Sequence, residues 1–184
     1  PWKVWSFGRL MAELHFAIHR CSGTSLASYC RVLQWSIEHT DHLSIGQKEA
    51  VLKALSALPD GNTLCHCDFH PDNIILTDRG PRIIDWMTAA QGDALADVAR
   101  SSMMLRLSES PDMHGRWLIN FIRRSFYTSY IDRYLFLSTR MRHDIDAWLL
   151  PTMAARLNED IPGEPSKLLE LIDQSLAEHS LVSG

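Results

Sequence analysis

Five side chains within eighteen residues carry the chemistry of this chain. Asp68, His70, Asp72 and Asn73 crowd into one polar loop between apolar runs, and Asp85 ends the apolar stretch Ile83-Ile84. A carboxylate closing an apolar strand is costly to bury without a partner or a metal. Asn73 opens one β-rich run, Asn73 to Thr77, and Asp85 stands near the end of the next, Arg82 to Trp86. Two such runs joined by the turn Asp78-Arg79-Gly80-Pro81 predict an antiparallel hairpin with a four-residue turn. That pairing brings Asn73 beside Asp85. Carboxylate and amide oxygens are hard ligands that suit magnesium, and magnesium on nucleotide phosphates offsets charge in phosphoryl transfer. Asp68, five residues before Asn73, is placed to orient a substrate hydroxyl.

The elements that must position these groups are mostly helical. Apolar spacing predicts helices over Trp5 to Arg20, Leu26 to Ile37 and Gln47 to Leu58, the last stopped by Pro59-Asp60-Gly61-Asn62. Leu64 to Cys67 reads as a short strand. After the hairpin, Asp93 is a plausible cap for a helix over Ala94 to Leu107. Another helix is expected from Pro111-Asp112, with the stripe Leu118, Ile122, Phe126, Tyr130 and Tyr134 facing a core. Further helices are expected over Met141 to Leu150, Thr152 to Asn158 and Pro165 to Glu178. The fold class is α+β, mostly helical, with a small central β-hairpin that must pack on helices to be stable.

The four motifs, in order along the chain, resemble the aminoglycoside phosphotransferase and choline kinase-like family of the protein-kinase-like fold. Its catalytic loop, His-Gly-Asp with a following Asn, is matched by His66-Cys67-Asp68 and Asn73. Its second metal motif is matched by Ile84-Asp85-Trp86. Its Gly-Asp-Pro-x-x-Asp-Leu-Ala pattern is similar to Gly92-Asp93-Ala94-Leu95-Ala96-Asp97-Val98-Ala99, and Gly8 to His15 looks like the first helix of its C-terminal lobe. The resemblance implies that Asp68 is the catalytic base or positions the acceptor hydroxyl, and that Asn73 and Asp85 bind magnesium and the phosphates of ATP or GTP. It implies that His66 braces the loop, and that Asp97 holds the loop from its helix. His70 stands between substrate contact and packing. Cys67 replaces the usual Gly, so its Cβ strains the loop if the backbone there needs positive φ. Ala94 for Pro is a harmless change.

The family's N-terminal lobe supplies a loop over the phosphates, a phosphate-binding Lys and an adenine hinge. No Gly-rich phosphate loop occurs in the sequence, and Lys3, Lys48 and Lys53 lie outside any strand that would serve. Residues 1–184 are therefore expected to be a C-terminal catalytic lobe without its nucleotide lobe. Such a lobe should transfer phosphate poorly alone, and its uncovered apolar surface favours self-association.

Composition sets outer bounds. With 184 residues, 46% hydrophobic and 22% charged, the chain is one domain or one large lobe. A net charge of −4 argues against a nucleic-acid partner, and no apolar run reaches membrane-spanning length. Cys21, Cys30, Cys65 and Cys67 are expected as thiols of a reducing, cytoplasmic protein. Two rival readings remain. Cys65, Cys67, His66 and His70 suggest zinc, although Cys-x-Cys is shorter than the usual ligand spacing. A kinase-derived lobe can also survive as a non-catalytic scaffold. The expected acceptor is a small molecule with a hydroxyl. Asp144, Asp146, Glu159, Asp160 and Glu164 lean it toward a cation, while Arg116, Arg123, Arg124 and Arg133 keep the same half mixed in sign.

Overall fold

The computed structural model describes residues 2–107 and 116–182. Helix α1, Trp2–His19, buries Met11, Ala12, His15 and Ile18, the three- and four-residue spacing of one helical face. This face lies along α5, Arg116–Ser138, whose Tyr130, Ile131 and Tyr134 are fully buried opposite it. The expected helix start at Pro111-Asp112 falls outside the described residues.

Ser28 caps α2, Tyr29–His39, by accepting from the Arg31 N–H at 3.3 Å. The helix begins three residues after the expected start because of this cap. Ser44 and Gln47 form a reciprocal capping box at the head of α3, Ile45–Ser56. Helix α4, Ala94–Leu107, is capped by Asp93, whose Oδ1 accepts the Leu95 N–H at 2.7 Å. From Leu95 to Met103 every residue of α4 is buried, so this helix runs through the core.

Among the described residues there are two small antiparallel sheets, and the first packs on α4. Strand β1, Thr63–Cys65, pairs with β4, Ala90–Gly92, through Leu64 and Gln91. Strand β2, Ile74–Thr77, pairs with β3, Gly80–Ile83, through Ile74 and Ile83. The hairpin is present, but its turn is Asp78-Arg79 rather than four residues. Gly80, at φ +99°, supplies the left-handed residue that closes so short a turn. Strand β3 also ends before Asp85, whose φ of +61° breaks extended backbone. The β1–β4 pairing was not expected from sequence.

Helix α6, Arg142–Arg156, runs straight through Pro151 where sequence predicts a break into two helices. Pro151 is buried, as are its neighbours from Leu150 to Ala155, and Thr152 Oγ1 donates to the Trp148 carbonyl at 2.7 Å. Packing against α2, α3 and α4 outweighs the backbone bond that proline removes. A short 3-10 turn, Leu157–Glu159, leads to α7, Pro165–Val182.

No helix among the described residues is long and apolar enough to cross a membrane. Trp148, 1% exposed, is the largest fully buried side chain of this core. Trp148→Ala should cost about 3–5 kcal/mol, read as a lower urea midpoint with an unchanged slope.

Candidate functional site

The loop that follows β1 is held from beneath by one carboxylate. Asp97, on α4 and wholly buried, accepts the backbone N–H of His66 at 2.6 Å on Oδ2 and that of Cys67 at 2.9 Å on Oδ1. His19 Nε2 reaches Oδ2 at 3.2 Å. His15 Nε2 stands 3.0 Å from the same oxygen, out of line for a good hydrogen bond. The other ring nitrogens meet phenols on α5, His15 Nδ1 with Tyr130 Oη at 2.7 Å and His19 Nδ1 with Tyr134 Oη at 2.6 Å. One buried charge thus joins α1, α4, α5 and the loop.

Burial alone would raise the Asp97 pKa, but His15 and His19 outweigh it and hold the carboxyl below the ordinary range. His15 is pushed down to about 4, first by burial and then by His19, against the pull of Asp97.

To present its N–H to Asp97, Cys67 takes φ +61°. This is the position where the resemblance expects Gly, and the cost of a Cβ there is of order 1–2 kcal/mol. Phe69, next along, is buried, and its carbonyl accepts from Ser101 Oγ of α4 at 2.7 Å. The loop is therefore anchored at both flanks of Asp68.

Asn73 ends the 3-10 turn Pro71–Asn73 and is 7% exposed. Its Nδ2 donates to the Asp68 carbonyl at 2.8 Å and approaches Asp68 Oδ2 at 3.3 Å and His70 Nε2 at 3.1 Å. His70 Nε2 also stands 3.5 Å from Asp68 Oδ2, and its Nδ1 faces Asp72 Oδ2 at 3.7 Å. With Nδ2 committed to the loop, Asn73 Oδ1 has no hydrogen-bond partner among the described residues. It is the end of the amide that a hard cation takes. Among the described residues, the side-chain cation facing Asp68 Oδ1 is Arg100 Nη2, at 3.9 Å and beyond hydrogen-bond range.

His66 is buried and donates from Nε2 to the Ile84 carbonyl at 2.9 Å, while its ring packs on Trp86 at 4.6 Å. It links the loop to the segment carrying Asp85. The Ile84 N–H in turn donates to the Asn73 carbonyl at 3.1 Å, one residue before Asp85. Asp85 itself is exposed and makes no hydrogen bond or ion pair among the described residues. The structure brings Asp68, Asn73 and His70 into direct contact, and places Asp85 next to them through the backbone alone. The side-chain oxygens of Asn73 and Asp85 are hard donors of the kind magnesium takes, and among the described residues neither has a hydrogen-bond partner.

A cleft of about 940 Å³ opens at Asp68 and His70. Of the three expected oxygen donors only Asp68 lines it; Asn73 and Asp85 do not. Its floor holds Arg100, Arg156, Glu159 and Glu164, and helices α1, α4 and α5 give it an apolar wall. Arg100 was not singled out from sequence, although it sits one turn after Asp97 on α4.

The model of the phosphotransferase enzyme family, which comprises aminoglycoside phosphotransferases, matches residues 6–143. The chain belongs to this family. No curated protein matches it significantly. The family match covers all four motifs, from the first helix through the catalytic loop, the Asp85 segment and α4. The fold is mostly helical with a small antiparallel hairpin, as a kinase-like C-terminal lobe requires.

The zinc reading fails on position. Among the described residues only His15, His19 and Asp97 gather as three ligand atoms, so Cys65, Cys67, His66 and His70 do not form a set. All four cysteines are free. Burial raises the Cys65 and Cys67 thiols well above their ordinary value, which keeps both protonated and unreactive at neutral pH.

The His15 shift gives a pH window with a definite sign. Its folded value near 4 lies below the unfolded value of 6.5, so the unfolded chain binds the proton first as pH falls. Stability should be full above pH 6.5 and decline toward pH 4, by about 3 kcal/mol at most. His15→Gln should flatten that decline in urea titrations run across the window. An unchanged slope would assign it to other groups.

Proposed function

We propose that this chain is the acceptor-side catalytic lobe of a cytoplasmic small-molecule kinase, moving the γ-phosphate of ATP or GTP to a hydroxyl. The observation that carries this reading is the bond from Asn73 Nδ2 to the Asp68 loop. It ties the cleft-lining Asp68 to Asn73 and leaves the Asn73 amide oxygen without a partner among the described residues.

Asp68 Oδ1 receives the acceptor's O–H and takes its proton as the oxygen bonds to phosphorus, while the bond from phosphorus to the nucleotide's bridging oxygen breaks. Arg100 Nη2, 3.9 Å from Asp68 Oδ1, places a positive charge beside the carboxylate. Asn73 and Asp85 would hold magnesium, which supplies charge neutralisation on the transferred phosphate. His66 and Asp97 keep the two halves of the site in register. His70 restrains Asn73 and borders the cleft, so it also meets the acceptor.

A nucleotide lobe is needed to hold adenine, and 1–184 alone should turn over slowly. Ile75, Leu76, Trp86 and Met87 leave the hairpin side of the lobe apolar and exposed. That face suits a covering lobe, or self-association where none is present.

The test uses the full chain joined to its nucleotide lobe, with magnesium-ATP and a panel of small alcohols and amino alcohols. Asp68→Ala should lower kcat by 10²–10⁴-fold with unchanged circular dichroism. Asp85→Asn should abolish magnesium-dependent nucleotide binding. Wild-type turnover in D68A would reject its role as base. Nucleotide binding absent with and without magnesium would favour the scaffold.

A further inference from the structure

The acidic residues that lean the acceptor toward a cation are occupied. Glu159 accepts from Arg100 Nη1 at 2.7 Å on Oε1 and from Arg156 Nη1 at 2.5 Å on Oε2. Glu164 accepts from Arg156 Nε at 2.8 Å on Oε2 and from Nη2 at 3.1 Å on Oε1. Every carboxylate oxygen on the cleft floor therefore already carries a guanidinium proton. Arg100 and Arg156 have side chains only 10% and 12% exposed. A cationic ligand would have to displace one of them and leave a nearly buried guanidinium without its partner, which costs more than the new pair returns.

The remaining acidic candidates lie elsewhere. Asp160 Oδ1 pairs with His42 Nε2 at 2.6 Å. Asp144 accepts the Met141 N–H at 2.9 Å, and Asp146 lines a separate cavity against α7. Above the floor the wall is largely apolar, with Phe7 and Leu10 from α1, Met104 from α4 and Ile122 and Phe126 from α5, and Arg123 of α5 borders it as well. About 940 Å³ is room for a drug-sized body.

We infer that the acceptor is an uncharged, amphipathic alcohol, whose apolar or aromatic body lies on the α1–α5 wall and whose hydroxyl reaches Asp68. This inference rests on reading the cleft as the acceptor site. The self-paired Arg–Glu floor sets the preference for a neutral ligand. An ammonium group brought into the cleft loses its water shell and, among the described residues, finds no open carboxylate except Asp68 and the exposed Asp72. A neutral ring system loses little by leaving water, and covers wall side chains that are now wet, among them Phe7 at 44% and Ile122 at 40% exposed.

The test is binding, without nucleotide, of a matched probe pair to the full chain. 2-(2-Naphthyl)ethanol and the corresponding ethylammonium compound share one ring system and differ in charge, and spermine serves as the polycation. Methyl NMR reads the cleft at Ile122 and Met104. The alcohol should shift both methyls and bind at least tenfold more tightly than the ammonium compound, with spermine shifting neither. Ile122→Asp should abolish the alcohol's binding. Phe7→Asp, on a different helix, gives the same readout if the first variant folds poorly. Equal or tighter binding of either cation in the cleft, or an alcohol that leaves both methyls unmoved, would overturn the inference. Because no phosphate transfer is required, that failure is separate from a failure of the kinase reading, which shows as absent magnesium-dependent nucleotide binding.

Discussion

A buried carboxylate with no water around it must collect donors, and Asp97 collects them from three directions. Two backbone amides of the loop, two imidazoles of α1 and the phenols behind those imidazoles form one connected set. An unpaired charge at that depth would cost several kcal/mol, so the donors cannot drift apart without the fold loosening. The loop is thereby fixed to a helix that runs through the core, rather than left to find its own shape. Phosphoryl transfer depends chiefly on positioning and electrostatics, and a loop so held suits that demand.

The same constraint separates support from chemistry. Residues facing Asp97 are fully buried, and they orient backbone. Asp68 faces the other way, partly exposed, with one oxygen near Asn73 and the other toward Arg100. His66 carries the constraint one step further, since its bond to the Ile84 carbonyl sets the strand exit from which Asp85 projects. The anchored loop is thus tied through His66 to the segment that carries Asp85. Arg100 joins the supporting and reacting sides, because it extends from the anchoring helix to both Glu159 and Asp68.

Much of this was legible in the sequence, for physical reasons that differ by element. Helix caps such as Asp93 are local and read correctly. The α5 stripe read correctly only in its second half: Tyr130 and Tyr134 are buried and Phe126 is half-buried, while Leu118 and Ile122 are exposed. The crowding of Asp68, His70 and Asn73 also read as one loop, since they are near neighbours in the chain. Pro151 misled because helix-breaking is a local rule and the packing of α6 against three helices is not. The pairing of β1 with β4 spans some thirty residues, and strands of three residues carry no periodic signal. The pairing of Glu159 and Glu164 with Arg100 and Arg156 was invisible for a related reason. Charge counted along a chain says nothing about which charges are already matched in space. Asp85 is intermediate: its place in the order of motifs was legible, but its left-handed backbone and its release from the strand were not.

Cys67 shows how a motif letter and the physical requirement behind it differ. The loop needs a left-handed residue so that two successive amides can point at Asp97, and glycine meets that need without strain. Cysteine meets it at a cost of order 1–2 kcal/mol. The residue adopts φ +61° here nonetheless, because its amide bond to Asp97 and the burial of its side chain, 3% exposed, act against that strain. Both amide bonds would be lost together if the residue relaxed to an extended backbone, and Asp97 would be left with imidazoles alone. Position 67 thus shows what this loop asks of its backbone: a left-handed residue whose amide, together with that of His66, reaches a buried carboxylate.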